Sequence, residues 1–219
     1  MSQTNRAILP ALLAAGLIAA AGCGPPEGPP NIGYVLPRPQ NLAKVGRVVF
    51  LQLADDDSFH DVADDMTTAL SKAIGARRLF HVDVISRDDP ACKGLSLDGR
   101  NGFTIGQLQD MRRTLKCDAV LVGSVRDFRP HPHTQMGLYL RLLDVKNGRL
   151  LWAVDHLWDT TDKDVEKRIQ KFFRKYMREG YEPMDWQLAM ISPKAFEKYV
   201  AYEVAETLPA GPSLAAGGS

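Results

Sequence analysis

Short apolar and alternating stretches within residues 46–160 predict five β-strands. One of them, residues 118–125 (DAVLVGSV), is almost continuously apolar, which is typical of a strand buried on both faces and predicts a central place in the sheet. Two others flank Asn147-Gly148, the strongest short-range signal for a hairpin turn. In chain order, the predicted strands lie at residues 48–53, 79–86, 118–125, 137–145 and 149–158.

Apolar residues spaced by three and four predict four helices. The third helix is expected to begin at Thr161 or Asp162, and the last at Ser192-Pro193, a pair favourable at the start of a helix. The apolar faces consist of Phe59, Val62, Ala63, Met66, Leu70, Ala73 and Ile74, with Gly75 as the stop; Ile105, Leu108, Met111 and Leu115; Val165, Ile169, Phe172, Phe173, Tyr176 and Met177; and Phe196, Val200 and Val204.

The resulting order, β-α-β-α-β-β-β followed by two C-terminal helices, predicts an α/β (α+β) fold. Helices are expected to pack on a mixed sheet of about five strands. The length of this part of the chain fits a single domain, which we assign to residues 46–208. The tail at 209–219, PAGPSLAAGGS, is small and flexible in composition and is expected to be disordered.

The N-terminus has the pattern of an export signal. Arg6 precedes an apolar run at residues 7–21 that is shorter than the roughly 20 residues of a membrane-spanning helix. The run ends in Ala20-Ala21-Gly22-Cys23, which resembles the lipobox of bacterial lipoproteins, with Ala20 where leucine is usual. The resemblance implies a signal peptide at 1–22, cleavage before Cys23 and acylation of that cysteine. The alternative is an ordinary signal peptide with an incidental cysteine.

Lipidation at Cys23 would anchor the chain without spanning the bilayer, because several acyl chains hold a protein durably on a membrane. By resemblance to lipoproteins of diderm bacteria, Gly24 in place of aspartate favours the outer membrane over the inner one. Residues 23–45 are rich in proline and glycine and are assigned to a linker, which could extend by about 60 Å. In the alternative, part of this segment packs back on the domain through residues 34–36.

Charge and cysteine content narrow the function classes. The chain has 27 basic and 26 acidic residues, and this balance argues against nucleic acid as a partner. Two cysteines, Cys92 and Cys117, remain besides Cys23, in a compartment that permits disulfides. The predicted fold places them at opposite ends of the sheet, so we expect no bridge between them.

Residues 118–124 and 141–152 carry a family resemblance. They resemble an A-D-x-V/L-x-x-G-x strand followed by an L-R-L-x-D-x-x-T-G-x-x-x-W hairpin, with Asn147 where threonine is usual. This pattern is similar to that of a group of bacterial envelope proteins, including the curli secretion lipoprotein CsgG, the N-terminal domain of TolB, the flagellar lipoprotein FlgO and the penicillin-binding-protein activator LpoB. The resemblance covers about residues 46–160. The resemblance implies a shared fold, because its motif residues have structural roles. Gly123 and Gly148 serve the backbone geometry, and Trp152 serves packing.

No common signature of nucleophilic, nucleotide or zinc chemistry occurs in the sequence, so we predict a non-enzyme without catalytic, cofactor or metal sites. Two clusters of acidic and histidine residues are candidate metal ligands, so metal binding, and with it a periplasmic hydrolase, is the alternative. Against this alternative, the acidic residues suit the N-terminus and solvated face of the first helix, and the histidines suit a projecting loop. The clusters are Asp55, Asp56, Asp57, His60, Asp61, Asp64 and Asp65, and His131 with His133.

The third predicted helix has a basic polar side that suits anionic lipid headgroups or an acidic partner. It comprises Lys167, Arg168, Lys171, Arg174, Lys175 and Arg178. The alternative is a solvated face balanced by the acidic first helix. Trp152, Trp158 and Trp186 are candidate anchors for a partner, although the strand position of Trp152 favours the core.

The sequence therefore predicts a non-enzymatic outer-membrane lipoprotein, facing the periplasm, whose domain docks another protein of the cell envelope. A homo-oligomer is the alternative, as a ring of the curli-secretion-channel type. Beyond the five strands of the domain, no alternating hairpin remains for the 9–11-residue strands of a membrane barrel.

Overall fold

The computed structural model describes residues 30–54, 60–92, 103–177 and 186–211. The strands are β1 (Tyr34–Val35), β2 (Arg47–Leu51), β3 (His81–Ile85), β4 (Ala119–Arg129), β5 (Gln135–Asp144) and β6 (Leu150–Asp159). The helices are α1 (Pro39–Leu42), α2 (His60–Ala76), α3 (Ile105–Leu115), α4 (Lys163–Tyr176), α5 (Gln187–Ile191) and α6 (Pro193–Glu206). A 3₁₀ turn lies at Pro90–Cys92.

The strands form one mixed sheet in the order β1-β6-β5-β4-β2-β3. β2 pairs in parallel with β3 and with β4, and the remaining neighbours are antiparallel. The predicted fold class and the interior position of β4 are confirmed. The sheet has six strands because the short β1 joins its edge beside β6.

Both faces of the sheet are covered where the strand sequences are continuously apolar. In β2, Val48 and Phe50 face the cluster under α2, α4 and α6, whereas Val49 and Leu51 face the cluster under α3. The strand alternation explains this division, since successive side chains point to opposite faces. The larger cluster positions α2, α4 and α6 together on one side of the sheet, where they form a helical face.

Local signals in the sequence set the ends of these elements. The side chain of Asp162 accepts a hydrogen bond from the backbone N–H of Asp164 at 2.8 Å, and the side chain of Ser192 caps α6. The predicted starts of both helices are thereby confirmed. Gly148 has a φ of +69° in the β5–β6 turn, a left-handed conformation that favours glycine. α2 continues through Gly75 and ends at Ala76, one residue later than predicted.

Residues 30–45, the second part of the predicted linker, pack on the domain. Ile32 and Leu42 are buried in the larger cluster. Gly33 donates its N–H to His156 Nδ1 at 3.3 Å, and its carbonyl oxygen accepts the N–H of Asp155 at 3.0 Å. The alternative of a segment that packs back is thus the arrangement found for residues 30–45. The apolar surface and the edge of β6 provide the physical reason.

Cys92 and Cys117 are free thiols, and both are buried. Both contribute to the apolar cluster under α3. Burial raises the pKa of each thiol above its ordinary value, which keeps both protonated at neutral pH.

Candidate docking site on the helical face

A groove of about 710 Å³ runs along the helical face between α2 and α6 and ends against Tyr176 of α4. Small side chains create its depth, because alanine leaves space between two packed helices where a longer residue would fill it. The alanines are Ala69, Ala73 and Ala76 of α2 and Ala201 and Ala205 of α6. This groove has the size and the apolar lining of a binding site.

Two tyrosines form the wall at the α4 end of the groove. The ring centroids of Tyr176 and Tyr202 lie 4.9 Å apart, and the ring of Phe172 lies 5.5 Å from the first and 4.9 Å from the second. Tyr176 is 52% exposed, so it presents an aromatic surface to solvent while its ring packs on the helices. Rigid aromatic side chains of this kind are common anchors in protein interfaces.

A second, smaller cleft of about 250 Å³ lies beyond the tyrosines, between α4, α6 and the start of the docked N-terminal segment. It shares Tyr176, Tyr202 and Glu206 with the groove, so the two depressions adjoin. Pro30 and Asn31 form one side, and Arg168, Lys171 and Lys175 of α4 form another. The N-terminal segment therefore enters the domain at this cleft.

Charged residues border the alanine-lined groove. Arg77 pairs with Glu206 at 2.5 Å, and Lys194 pairs with Asp65 at 3.4 Å. Two further lysines bring the cations on the border to four. They are Lys72 and Lys198.

Glu197 is the third carboxyl group of the groove, and it is buried. Burial is the main cause that raises its pKa to about 7; the negative charge of Asp65 also raises the pKa, whereas Lys194 lowers it. Its carboxyl group is therefore only partly ionised at neutral pH. Among the described residues, the groove thus has four basic side chains and three carboxyl groups, of which that of Glu197 is only partly ionised, so the groove favours an acidic ligand.

A buried hydrogen-bonded group fixes α4 and α6 relative to the sheet. Glu203 of α6 accepts hydrogen bonds from Trp158 Nε1 at 2.7 Å and from Arg168 Nε at 2.8 Å. Glu203 is only 3% exposed, so the two donors replace the water that its carboxylate loses. This arrangement holds the helices in the orientation that creates both clefts.

The predicted basic residues of α4 fall into two groups in the structure. Lys167 pairs with Asp164 at 3.2 Å, and Arg168 is engaged with Glu203. Lys171, Arg174 and Lys175 are exposed along the second half of the helix. Arg178 lies outside the described residues. The candidate basic surface therefore consists of the later residues of the helix.

The acidic and histidine clusters occupy separate places. Asp64 contacts the side-chain amide of Gln52, Asp65 faces Lys194, and Asp55, Asp56 and Asp57 lie outside the described residues. His131 and His133 are exposed in the loop between β4 and β5. Within the described ranges, no group of three or more potential metal ligands occurs.

The three tryptophans are core residues to different degrees. Trp152 and Trp158 are fully buried, and Trp152 Nε1 donates to Thr207 Oγ1 at 2.9 Å. Trp186 is partly buried against the larger cluster.

The predicted leader, including Ala20, Ala21, Gly22 and Cys23, lies outside the described residues. None of the helices in the described ranges is long and apolar enough to cross a membrane.

Sequence reasoning missed the groove. Its signal is the spacing of alanines by three and four residues on two helical faces, Ala69-Ala73-Ala76 and Ala201-Ala205. Neither series indicates a groove by itself, because the depth arises only when α2 and α6 pack side by side. The two helices are separated by more than a hundred residues of sequence.

No protein-family model matches the chain, and no curated protein matches its sequence. Among solved structures, a PelC dodecamer from Paraburkholderia phytofirmans is 13% identical with a TM-score of 0.47, covering 75% of this chain and 90% of that chain. Lipoprotein GNA1162 from Neisseria meningitidis is 14% identical with a TM-score of 0.40, covering 62% and 99%. LpoB from E. coli is 16% identical with a TM-score of 0.37, covering 71% and 84%.

Proposed function

We propose that this chain is a non-enzymatic lipoprotein of the bacterial cell envelope that docks another envelope protein in its alanine-lined groove. The acyl chains on Cys23 hold it on the periplasmic face of the outer membrane. The observation that carries the docking role is the groove of about 710 Å³ between α2 and α6, with its tyrosine wall and cationic border.

The anchor is supported by the leader. The positive residue Arg6, the apolar run at 7–21 and the small residues before Cys23 together suit export followed by lipidation. Gly24 supports the outer membrane as the destination. An anchored domain acts at a membrane without needing a spanning helix.

The occupant of the groove is a helical or extended segment of the partner with small apolar side chains and at least one acidic residue. Small side chains suit the alanine floor, because the two helices leave room for close approach. An acidic residue suits the border of the groove. There Lys72 and Lys198 lie near two ion pairs, Arg77 with Glu206 and Lys194 with Asp65. Complementary charge of this kind speeds association and selects among partners.

Site-specific photo-crosslinking in the native envelope tests this role. A photoreactive residue is placed at Thr68, which is exposed beside the groove on α2, and at Gln109 on α3 as the control. We expect position 68 to form an adduct with one envelope protein and position 109 to form none with it. The substitutions Ala76→Trp and Lys72→Glu should each reduce that adduct, because one fills the groove and the other reverses its charge.

A matched substitution, Thr114→Trp on α3, should leave the adduct unchanged. An adduct that is insensitive to Ala76→Trp would contradict docking in the groove. An adduct with a second copy of this chain would replace the proposal by the ring-forming alternative. The Cys23 anchor is tested separately, by the mass of the purified mature protein.

A further inference from the structure

The docked N-terminal segment shortens the connection between the lipid and the domain. The chain enters the domain at Pro30 and Asn31, beside the smaller cleft. Seven residue steps separate Cys23 from Pro30 in the sequence. Since an extended chain spans at most about 3.6 Å per residue, the lipidated cysteine lies within about 25 Å of Pro30 in any conformation. This step rests on the proposed lipidation of Cys23.

Because the domain is large compared with this limit, the connection restricts how the domain can be oriented on the membrane. A domain of roughly 160 residues has a radius of gyration of about 15 Å and hence a diameter of about 40 Å. The connection is therefore shorter than the domain is wide. The α3 side of the sheet cannot contact the bilayer, because Pro30 would then lie farther from the membrane than the chain can reach. The side that carries Pro30 stays close to the headgroups.

The surface around Pro30 has the chemistry of a membrane interface. From Lys167 to Met177 the chain has five basic residues and no acidic one. Lys171, Arg174 and Lys175 are exposed on this half of α4. The half-exposed Tyr176 has Lys175 Nζ at 5.0 Å from its ring centre. Tyrosine and lysine together are typical of the boundary between lipid and water, where the ring and the charged end both find suitable surroundings.

Among the residues that the structure describes, the lining of the smaller cleft has more basic than acidic side chains. The acidic ones are Glu203, which pairs with Arg168 at 2.8 Å, and Glu206, which pairs with Arg77 at 2.5 Å. The side chains of Lys171 and Lys175 line the same cleft. A negatively charged lipid headgroup at this position would meet a surface with a cationic excess.

We propose that the second half of α4, with the adjoining cleft, lies on the membrane and binds anionic lipid headgroups. The short connection holds this half of α4, residues 167–176, at the bilayer, and Lys171, Arg174 and Lys175 contact the headgroup phosphates. The alanine-lined groove lies on the other side of Tyr176 and Tyr202, so it remains open to a partner in the periplasm. α4 thus orients the docking groove relative to the membrane.

The test uses the mature, lipidated chain in vesicles of phosphatidylethanolamine with phosphatidylglycerol, or of phosphatidylcholine alone. A photoreactive residue replaces Arg174 on α4 or Gln109 on α3, and lipid adducts are quantified by mass spectrometry. We expect adducts at position 174 in the anionic vesicles and about tenfold fewer at position 109. Lys171→Glu with Lys175→Glu should reduce the adduct at position 174 about tenfold, whereas Arg112→Glu with Arg113→Glu on α3 should leave it unchanged.

A flexible insert between Glu27 and Gly28 tests the contribution of the connection. About 20 added residues raise its limit by about 70 Å, so adducts at position 174 should fall and those at position 109 should rise. Equal adducts at both positions without the insert would overturn the proposal, as would equal yields in the two kinds of vesicle. Adducts between position 174 and an acidic protein in native membranes, with none to lipid, would overturn it in favour of protein docking.

The outcomes separate this inference from the proposed function. Protein whose mass shows no lipid on Cys23, and which does not float with vesicles, defeats the anchor. Protein that is lipidated and floats, yet forms no lipid adduct at position 174, defeats only the membrane contact of α4. Thermal unfolding of each variant confirms that these exposed substitutions leave the domain folded.

Discussion

At the scale of single residues, the buried Glu197 should make the stability of the domain depend on pH. Its pKa is raised from 4.5 to about 7, so between these values the folded state binds a proton that the unfolded state has released. The free energy of unfolding should therefore fall as pH rises through this window, by up to about 3 kcal/mol. Urea unfolding near pH 5 and pH 8 measures the change. Glu197→Gln should remove that part of the difference; an unchanged difference would contradict the raised pKa.

The carboxylate of Glu203 should contribute far more to stability than an exposed ion pair on α4. Glu203→Ala leaves Trp158 Nε1 and Arg168 without their acceptor, and we expect a loss of about 3 kcal/mol in unfolding free energy. The control is Asp164→Ala, which removes the exposed partner of Lys167 and should cost less than about 1 kcal/mol. Similar losses in the two variants, measured by urea unfolding, would show that the buried group is not the stronger one.

At the scale of elements, the sequence predicted those parts whose side chains repeat a clear period. The alternation in β3 and the continuous apolar run of β4 identify strands, and Asp162 and Ser192 identify helix starts. β1 could not be predicted in this way, because a strand of two residues has no period to detect. Its formation depends on the edge of β6, which lies more than a hundred residues later in the chain. For the same reason a Pro-rich composition alone could not show which part of 23–45 is docked.

Gly33 should decide whether β1 stays on that edge. A Cβ atom at this position would clash with the backbone oxygen of Asp155, so Gly33→Ala should detach the segment. Faster hydrogen exchange at the Asp155 N–H, which donates to the Gly33 carbonyl, would report the release. The control is Gly75→Ala, which meets open space in α2 and should stabilise the helix by about 0.5–1 kcal/mol. Unchanged exchange in the Gly33 variant would show that β1 tolerates the added atom.

At the scale of the whole molecule, the sequence supplied the components of the candidate site without their arrangement. The basic residues of α4 are visible in the sequence, but Arg168 turns inward to Glu203, and only the packing of α6 reveals this. The groove likewise depends on two distant helices lying side by side. A free linker would let the domain lie about 60 Å from its lipid, but the chain is already docked at Pro30 beside α4, which leaves a connection of at most about 25 Å. This shorter connection restricts the orientation of the molecule on the membrane.

Removing the lipid should leave only a weak association between the whole molecule and membranes. Cys23→Ala abolishes acylation, so after export the protein depends on Lys171, Arg174 and Lys175, each worth about 1 kcal/mol near an anionic surface. A total of about 3 kcal/mol gives only weak binding, which salt screens. We expect most of the Cys23→Ala protein in the periplasmic fraction and the remainder released by a salt wash, whereas the lipidated chain stays with membranes. Salt-resistant retention of the variant would refute anchoring through Cys23. Complete absence from membranes at low salt would instead count against the contact of α4 with lipid.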